Sequence, residues 1–212
     1  MPTGIKVPMP TLERLATYLS ALTNLRVRNV ETVSSADIEE RTGVNAAQFR
    51  KDLSYFGEFG RPGIGYNVHD LHDRISKILN LECRQPVLLV GAGNLGAALL
   101  GYPALRAENF QIVGAFDSDP RKIGKHIWDL EVKDISDMTA ENRRLKAKIG
   151  IISVPATAAQ EVAEKLIDAK VFNILNFAPV ALKLPRSVII RNVDFVQELA
   201  VLSFHLTADK PK

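Results

Sequence analysis

Three glycines in the run Gly91-Ala92-Gly93-Asn94-Leu95-Gly96 have the spacing that lets a backbone wrap a pyrophosphate. Gly91 permits a tight turn. Gly93 removes a Cβ that would collide with phosphate, and Gly96 lets the following helix pack close to a strand. A helix starting there offers free N–H groups and the positive end of its dipole to an anion. An acid able to accept a ribose 2′-hydroxyl stands twenty-one residues past Gly96, at Asp117. Its carboxylate would repel a 2′-phosphate and so select NAD over NADP, a preference tempered by Arg121 and Lys122 close by.

These residues need a strand, a helix and a second strand to hold them. Pro86-Val-Leu-Leu-Val90 is a short apolar run that reads as a buried parallel strand, and Ala97 to Leu100 begins a helix. Gln111 to Phe116 is the second strand, ending at Asp117. Further on, Lys148 to Ser153 is a strand ending at Val154-Pro155. Residues 156–169 form a helix with Val162, Leu166 and Ile167 inward. Phe172 to Phe177 is a strand ending at Ala178-Pro179, and Ser187 to Arg191 is the last strand. Alternation of this kind predicts an α/β Rossmann domain, a doubly wound parallel sheet. Ligands bind beyond the carboxyl ends of such strands, so Val154, Pro155, Asn176, Phe177 and Ala178 fall near the far end of a bound dinucleotide. A terminal helix from Asp194 to about Leu206 is surplus to the sheet. Its broad apolar set (Phe195, Val196, Leu199, Leu202, Phe204) must dock on something, while Asp194 with Gln197 reads as its N-terminal cap. Residues 207–212 read as a frayed end.

About 85 residues precede the glycines, enough for a small domain. Leu12, Leu15, Leu19 and Leu22 mark one face of a helix over 11–26. Ser34-Ser-Ala-Asp37 is a capping box opening a second helix that Thr42-Gly43 closes. Asn45 opens a third helix to about Phe56, with Phe49, Leu53 and Phe56 inward and Gln48, Arg50, Lys51, Ser54 and Tyr55 left to other faces. The glycine-rich stretch from Gly57 to Tyr66 predicts a hairpin with a tight tip, and Leu71, Ile75, Ile78 and Leu79 a fourth helix. Helices followed by a glycine-rich hairpin make a winged helix, whose third helix would enter a major groove and whose wing, with Arg61 at its tip, would touch backbone or minor groove. A small helical dimerisation or substrate domain is the competing reading. The expected boundaries are 1–82 for this domain, 83–192 for the nucleotide domain, and 193–212 for the last helix and tail.

Composition narrows the classes. The net charge of +3 is spread evenly, with 10 lysines and arginines against 9 acids in the first eighty residues, so bulk charge does not argue for nucleic acid. No run of apolar residues is long enough to span a bilayer, and the start lacks the apolar core of a secretion signal, so a cytoplasmic protein is expected. Cys83, the one cysteine, excludes an internal disulfide and a cysteine-cluster zinc site, and is expected to be buried and inert. No metal-ligand cluster is visible. A nicotinamide dehydrogenase needs an acid or base at the substrate carbon, yet none of His69, His72, His126 and His205 falls at a strand end of the site. No catalytic residue is assigned, and the nucleotide reads as a signal rather than a reagent.

Five segments together resemble the family of redox-sensing transcriptional repressors called Rex: Gln48-Phe-Arg-Lys-Asp-Leu-Ser-Tyr-Phe-Gly57, Gly63-Ile-Gly-Tyr-Asn-Val68, Gly91 to Gly96, Ile174-Leu-Asn-Phe-Ala-Pro179, and Asn192-Val-Asp-Phe195. The resemblance covers nearly the whole chain. It implies a homodimer bound to a palindromic operator in double-stranded DNA, released by NADH but not by NAD⁺, with the terminal helix exchanged between subunits. It implies DNA contacts from Gln48, Phe49, Arg50, Lys51, Ser54, Tyr55, Arg61 and Gly63. It places Phe195 at the partner's nicotinamide pocket and gives Tyr102 and Asp194 a part in signalling. The family's Arg partner of that Asp is matched here by Ser20, so an Arg–Asp switch does not carry over directly. The rival readings are a small NAD-dependent oxidoreductase and a CoA- or nucleotide-binding regulatory domain without DNA.

Overall fold

A computed structural model describes residues 7–60 and 63–208. They divide into two compact units that meet between Cys83 and Arg84, one residue from the expected boundary.

The first unit is built on helix α1 (Met9–Val27), strand β1 (Thr32–Val33), α2 (Ser35–Thr42), α3 (Ala46–Ser54), β2 (Tyr66–Asn67) and α4 (Val68–Ile78). The capping box forms as expected: Ser34 accepts from the Asp37 N–H while Asp37 accepts from the Ser34 N–H, and Gly43 ends α2 in the left-handed conformation. Leu15, Tyr18, Leu22, Ile38, Phe49, Leu71 and Ile75 are enclosed in one core. Tyr66 and Asn67, at the end of the expected hairpin, pair with an earlier segment. β2 runs antiparallel to β1, with Thr32 opposite Asn67 and Val33 opposite Tyr66. Among the described residues of this segment no strand precedes Gly65, and Arg61 at its centre lies outside the described residues.

The second unit contains β3 (Gln85–Val90), α5 (Asn94–Leu100), α6 (Pro103–Ala107), β4 (Phe110–Asp117), β5 (His126–Ile127), β6 (Leu130–Asp134), α7 (Met138–Leu145), β7 (Ile149–Ile152), α8 (Ala156–Asp168), β8 (Asn173–Asn176), β9 (Ile189–Asn192) and α9 (Phe195–Ala208). The strand order is β5-β6-β4-β3-β7-β8-β9, and every pairing but β5 with β6 is parallel. This is the doubly wound sheet read from the sequence, with its order reversing at β3. Alternate residues of β3 serve the two faces. Leu88 and Val90 pack under α7 and α8, and Val87 and Leu89 on the α5 side, which is why that strand is apolar without a break. The short polar strand β6 and the segments β5, α6 and α7 carried too weak a period to be read beforehand. Of the tail expected to fray, residues 207 and 208 continue α9, and 209–212 lie outside the described residues.

Candidate functional site

The switch in strand order sets β3 beside β7, and the glycine turn sits on that seam. Gly91 has φ +103°, and a Cβ there would strike the carbonyl oxygen of Ser153 at the end of β7. A Cβ at Gly96 would strike the Gly91 carbonyl, so helix α5 packs against the turn only because that residue is glycine. At Gly93 a Cβ would meet nothing within 4 Å. That glycine leaves an open face, and no side chain caps α5, whose N-terminal N–H groups are left for an anion. Ser153 was not singled out in the sequence. Its Oγ donates to the Gly91 carbonyl at 2.8 Å and its N–H to the Val90 carbonyl at 2.9 Å, tying the turn to the neighbouring strand.

Asp117 closes the other side. Its Oδ2 accepts from the Ala92 N–H at 2.7 Å and from Lys122 Nζ at 2.9 Å, and its Oδ1 from the Asp119 N–H at 2.9 Å. Burial alone would raise this carboxyl. Lys122 and the two N–H groups outweigh it and hold Asp117 below the usual carboxylate range. Asp117 is therefore ionised, as a ribose acceptor must be, but it also braces the turn.

Val154 packs against the core and Pro155 is exposed at the start of α8. Asn176 is corrected: it is fully enclosed. Its Nδ2 donates to the Ala178 carbonyl at 3.0 Å and to Asn192 Oδ1 at 2.9 Å, and its Oδ1 accepts from the Ala178 N–H at 3.0 Å. With its amide spent on the turn, it shapes the rim rather than facing a ligand. Ala178 is buried, and Phe177 lies beside Phe195, ring centres 6.3 Å apart, within the same chain. Phe195 is 60% exposed and opens α9, whose Val196, Leu199, Leu202, Phe204 and Leu206 are exposed as well. Asp194 Oδ1 accepts from the Val196 and Gln197 N–H groups, the capping role foreseen. Tyr102 is exposed and lines, with Trp128 and Arg106, a shallow cleft at the starts of β4 and β6, away from the glycine turn.

In the first unit, α3 presents Arg50, Lys51 and Ser54 on one exposed stripe, with Tyr55 half-buried and Gly63 exposed. Arg50 donates to Ser35 Oγ at 2.7 Å. Phe49 is corrected: it is 0% exposed, edge-on to Tyr18 and Tyr66, and its side chain cannot reach DNA. The feature missed in the sequence is Asp52, also 0% exposed. Its carboxylate accepts from Arg14 Nε at 2.6 Å and a second Arg14 nitrogen at 2.7 Å, from Tyr18 Oη at 2.8 Å, Gln48 Nε2 at 2.8 Å and Thr11 Oγ1 at 3.1 Å. Burial opposes the charge, but Arg14, Tyr18, Gln48 and Thr11 together hold the carboxyl down at about 2, and burial with Asp52's hydrogen bond pushes the Tyr18 phenol up. Cys83, expected to be buried, is exposed. Among the described residues no helix is long and apolar enough to cross a membrane, and no group of ligating side chains could hold a metal ion.

Comparison with known proteins agrees with both halves of this geometry. Residues 84–180 match the family model described as a CoA binding domain, and residues 6–54 the one described as a putative DNA-binding protein N-terminus. Redox-sensing transcriptional repressor Rex of Carboxydothermus hydrogenoformans is 49% identical over 206 residues, covering 97% of this chain and 99% of its own. That of Pelotomaculum thermopropionicum is 50% identical over 96% of this chain and 95% of its own. Two crystal structures of the Rex-family repressor RSP superpose well. One, with β-NADH, has TM-score 0.88 and 36% identity over 98% of this chain and 97% of that one. The other, with β-NAD⁺ and operator DNA, has TM-score 0.89 and 37% identity over 98% and 95%. On relatives of this identity and coverage, the chain belongs to the Rex family of redox-sensing transcriptional repressors.

Proposed function

We infer that this chain is a transcriptional repressor that binds operator DNA through its first unit, reads the NADH/NAD⁺ ratio through its second, and leaves DNA when the reduced nucleotide binds. The observation that carries the reading is the glycine turn: Gly93 open, α5 uncapped, and an ionised Asp117 beside them. Gly91, Ala92, Gly93, Asn94, Leu95 and Gly96 hold the pyrophosphate and Asp117 a ribose. Val154, Pro155, Phe177 and Ala178 border the nicotinamide. The oxidised ring is charged and the reduced ring is not. An apolar border of Phe177, Ala178 and Phe195 favours the neutral form, because burying an unpaired charge is costly. Each 1.4 kcal/mol or so of that difference is about tenfold in affinity.

On the DNA side Gln48, Arg50, Lys51, Ser54 and Tyr55 form the reading face, with Gly63 and Arg61 from the following loop. The chain works as a homodimer in the cytoplasm, reading a palindrome, with α9 exchanged so that its exposed apolar side chains are covered by the partner. Tyr102 and Asp194 take part in passing the signal. The test is a gel shift of genomic fragments with no nucleotide, with NAD⁺ and with NADH. Retention with NAD⁺ and release with NADH are expected. Failure to retain any fragment, or NADH turnover on a panel of small carbonyl substrates, overturns the reading.

A further inference from the structure

The buried carboxylate on α3 does more than join two helices. It faces three side chains of α1, Thr11, Arg14 and Tyr18, which fall on one side of that helix, and a single side chain of its own helix, Gln48. A carboxylate with a guanidinium on both oxygens is ionised and accepts only. The amide of Gln48 must therefore turn its NH₂ toward Asp52, as the 2.8 Å contact from Nε2 to Oδ1 shows. The carbonyl Oε1 of the half-buried Gln48 is then the branch left for a ligand.

We propose that Asp52 fixes the amide of Gln48 on the reading helix with one N–H spent and the carbonyl left for a ligand, so that Gln48 selects a base bearing an exocyclic amine in the major groove. A free glutamine reads adenine with both its donor and its acceptor, or turns over to donate to guanine. With one N–H bound to Asp52 and the amide unable to turn over, Gln48 accepts from adenine N6 or cytosine N4 and offers guanine O6 no more than its one remaining N–H. Gln48 is the contacting residue and Asp52 the positioning residue. The inference rests on α3 being the DNA-reading helix.

The experiment begins with an operator duplex recovered by the wild-type chain from a random-sequence pool. Each adenine and cytosine of one half-site is then replaced by an analogue lacking only its exocyclic amine, purine for adenine and pyrimidin-2-one for cytosine. The wild type is expected to lose about ten- to a hundredfold in affinity at one position, and which analogue does so tells adenine from cytosine. Gln48→Ala is expected to be indifferent to that deletion. Asp52→Asn frees the amide to turn, so guanine becomes tolerated at the same position, while non-specific affinity and its salt slope stay as in the wild type. A purely structural role for Asp52 would lower the melting temperature without changing base preference. Full sensitivity to amine deletion in Gln48→Ala, or a wild-type preference for guanine at the position Gln48 governs, overturns the proposal. If Asp52→Asn does not fold, Gln48→Ala decides alone. Recovery of no operator would instead defeat the assignment as a DNA-binding repressor.

Discussion

Ser153 Oγ, just past the end of β7 and beside the glycine turn, donates to the Gly91 carbonyl at 2.8 Å and to that of Val90 at 3.2 Å. The turn is thus held by its neighbour as well as by its own glycines. Ser153→Ala leaves the Gly91 carbonyl without that donor and loosens the turn. A net hydrogen bond is worth roughly 1 kcal/mol, so NADH and NAD⁺ are both expected to bind about three- to tenfold more weakly, with their ratio unchanged. Calorimetry with each nucleotide checks both statements.

Asp117 is expected to reject a 2′-phosphate. NADPH should bind at least roughly tenfold more weakly than NADH, about 1.4 kcal/mol, and Asp117→Asn should narrow the gap. Lys122, 2.9 Å from the carboxylate, limits the rejection. Equal affinity of the wild type for NADH and NADPH would falsify the assignment.

Phe195 lies against Phe177 but is 60% exposed, so it is not an ordinary core residue of its own chain. Truncating a buried Phe costs about 3–5 kcal/mol of stability. Phe195→Ala is expected to cost less, to weaken NADH more than NAD⁺, and to leave the operator bound at NADH levels that release the wild type. A large loss of melting temperature with an unchanged NADH/NAD⁺ affinity ratio would sink the sensor role.

Arg50 and Lys51 stand on the exposed stripe of α3. If both meet phosphates, the double change Arg50→Ala/Lys51→Ala flattens the salt dependence of binding by about two units. Wild-type operator affinity in that variant would remove both from the interface.

Acid is expected to strike the first unit through Asp52. Folding lowers its carboxyl from an ordinary 3.8 to about 2, so the unfolded chain takes up the proton first. The stability this group supplies is present above about pH 4 and is lost as pH falls from there through about 2. Circular dichroism of Asp52→Asn should show a lower melting temperature at pH 7 and a smaller further loss between about pH 4 and 2 than the wild type.

The glycine turn, the doubly wound order and the helix caps were legible because each is a local rule: a spacing, a period, a capping pair. β6 was not, because Leu130-Glu-Val-Lys-Asp134 has one enclosed residue, Val132, and draws its strand character from pairing with β4. The β1–β2 pair joins residues thirty-three and thirty-five positions apart, and the glycines between them imitate a hairpin. On the sequence alone Asp52 is one more charged residue beside Arg50 and Lys51. Its meaning depends on Thr11, Arg14 and Tyr18, which only the fold brings to it. Phe49 sat inside a family motif, and motif membership does not separate residues that touch DNA from those that hold the helix in place. Asn176 poses the same difficulty at the nucleotide rim.

The chain has a single tryptophan, Trp128. Its ring covers Gly101 at the end of α5, and its Nε1 donates to the Ala97 carbonyl at 3.3 Å. A helix of seven residues is about 10 Å long, so the indole stands roughly that far behind the N–H groups proposed to meet the pyrophosphate. Dihydronicotinamide absorbs light where indole emits, and the oxidised ring does not. The fold has therefore placed its one indole within energy-transfer range of the proposed nucleotide site, where its emission is expected to distinguish the reduced from the oxidised ligand without any label.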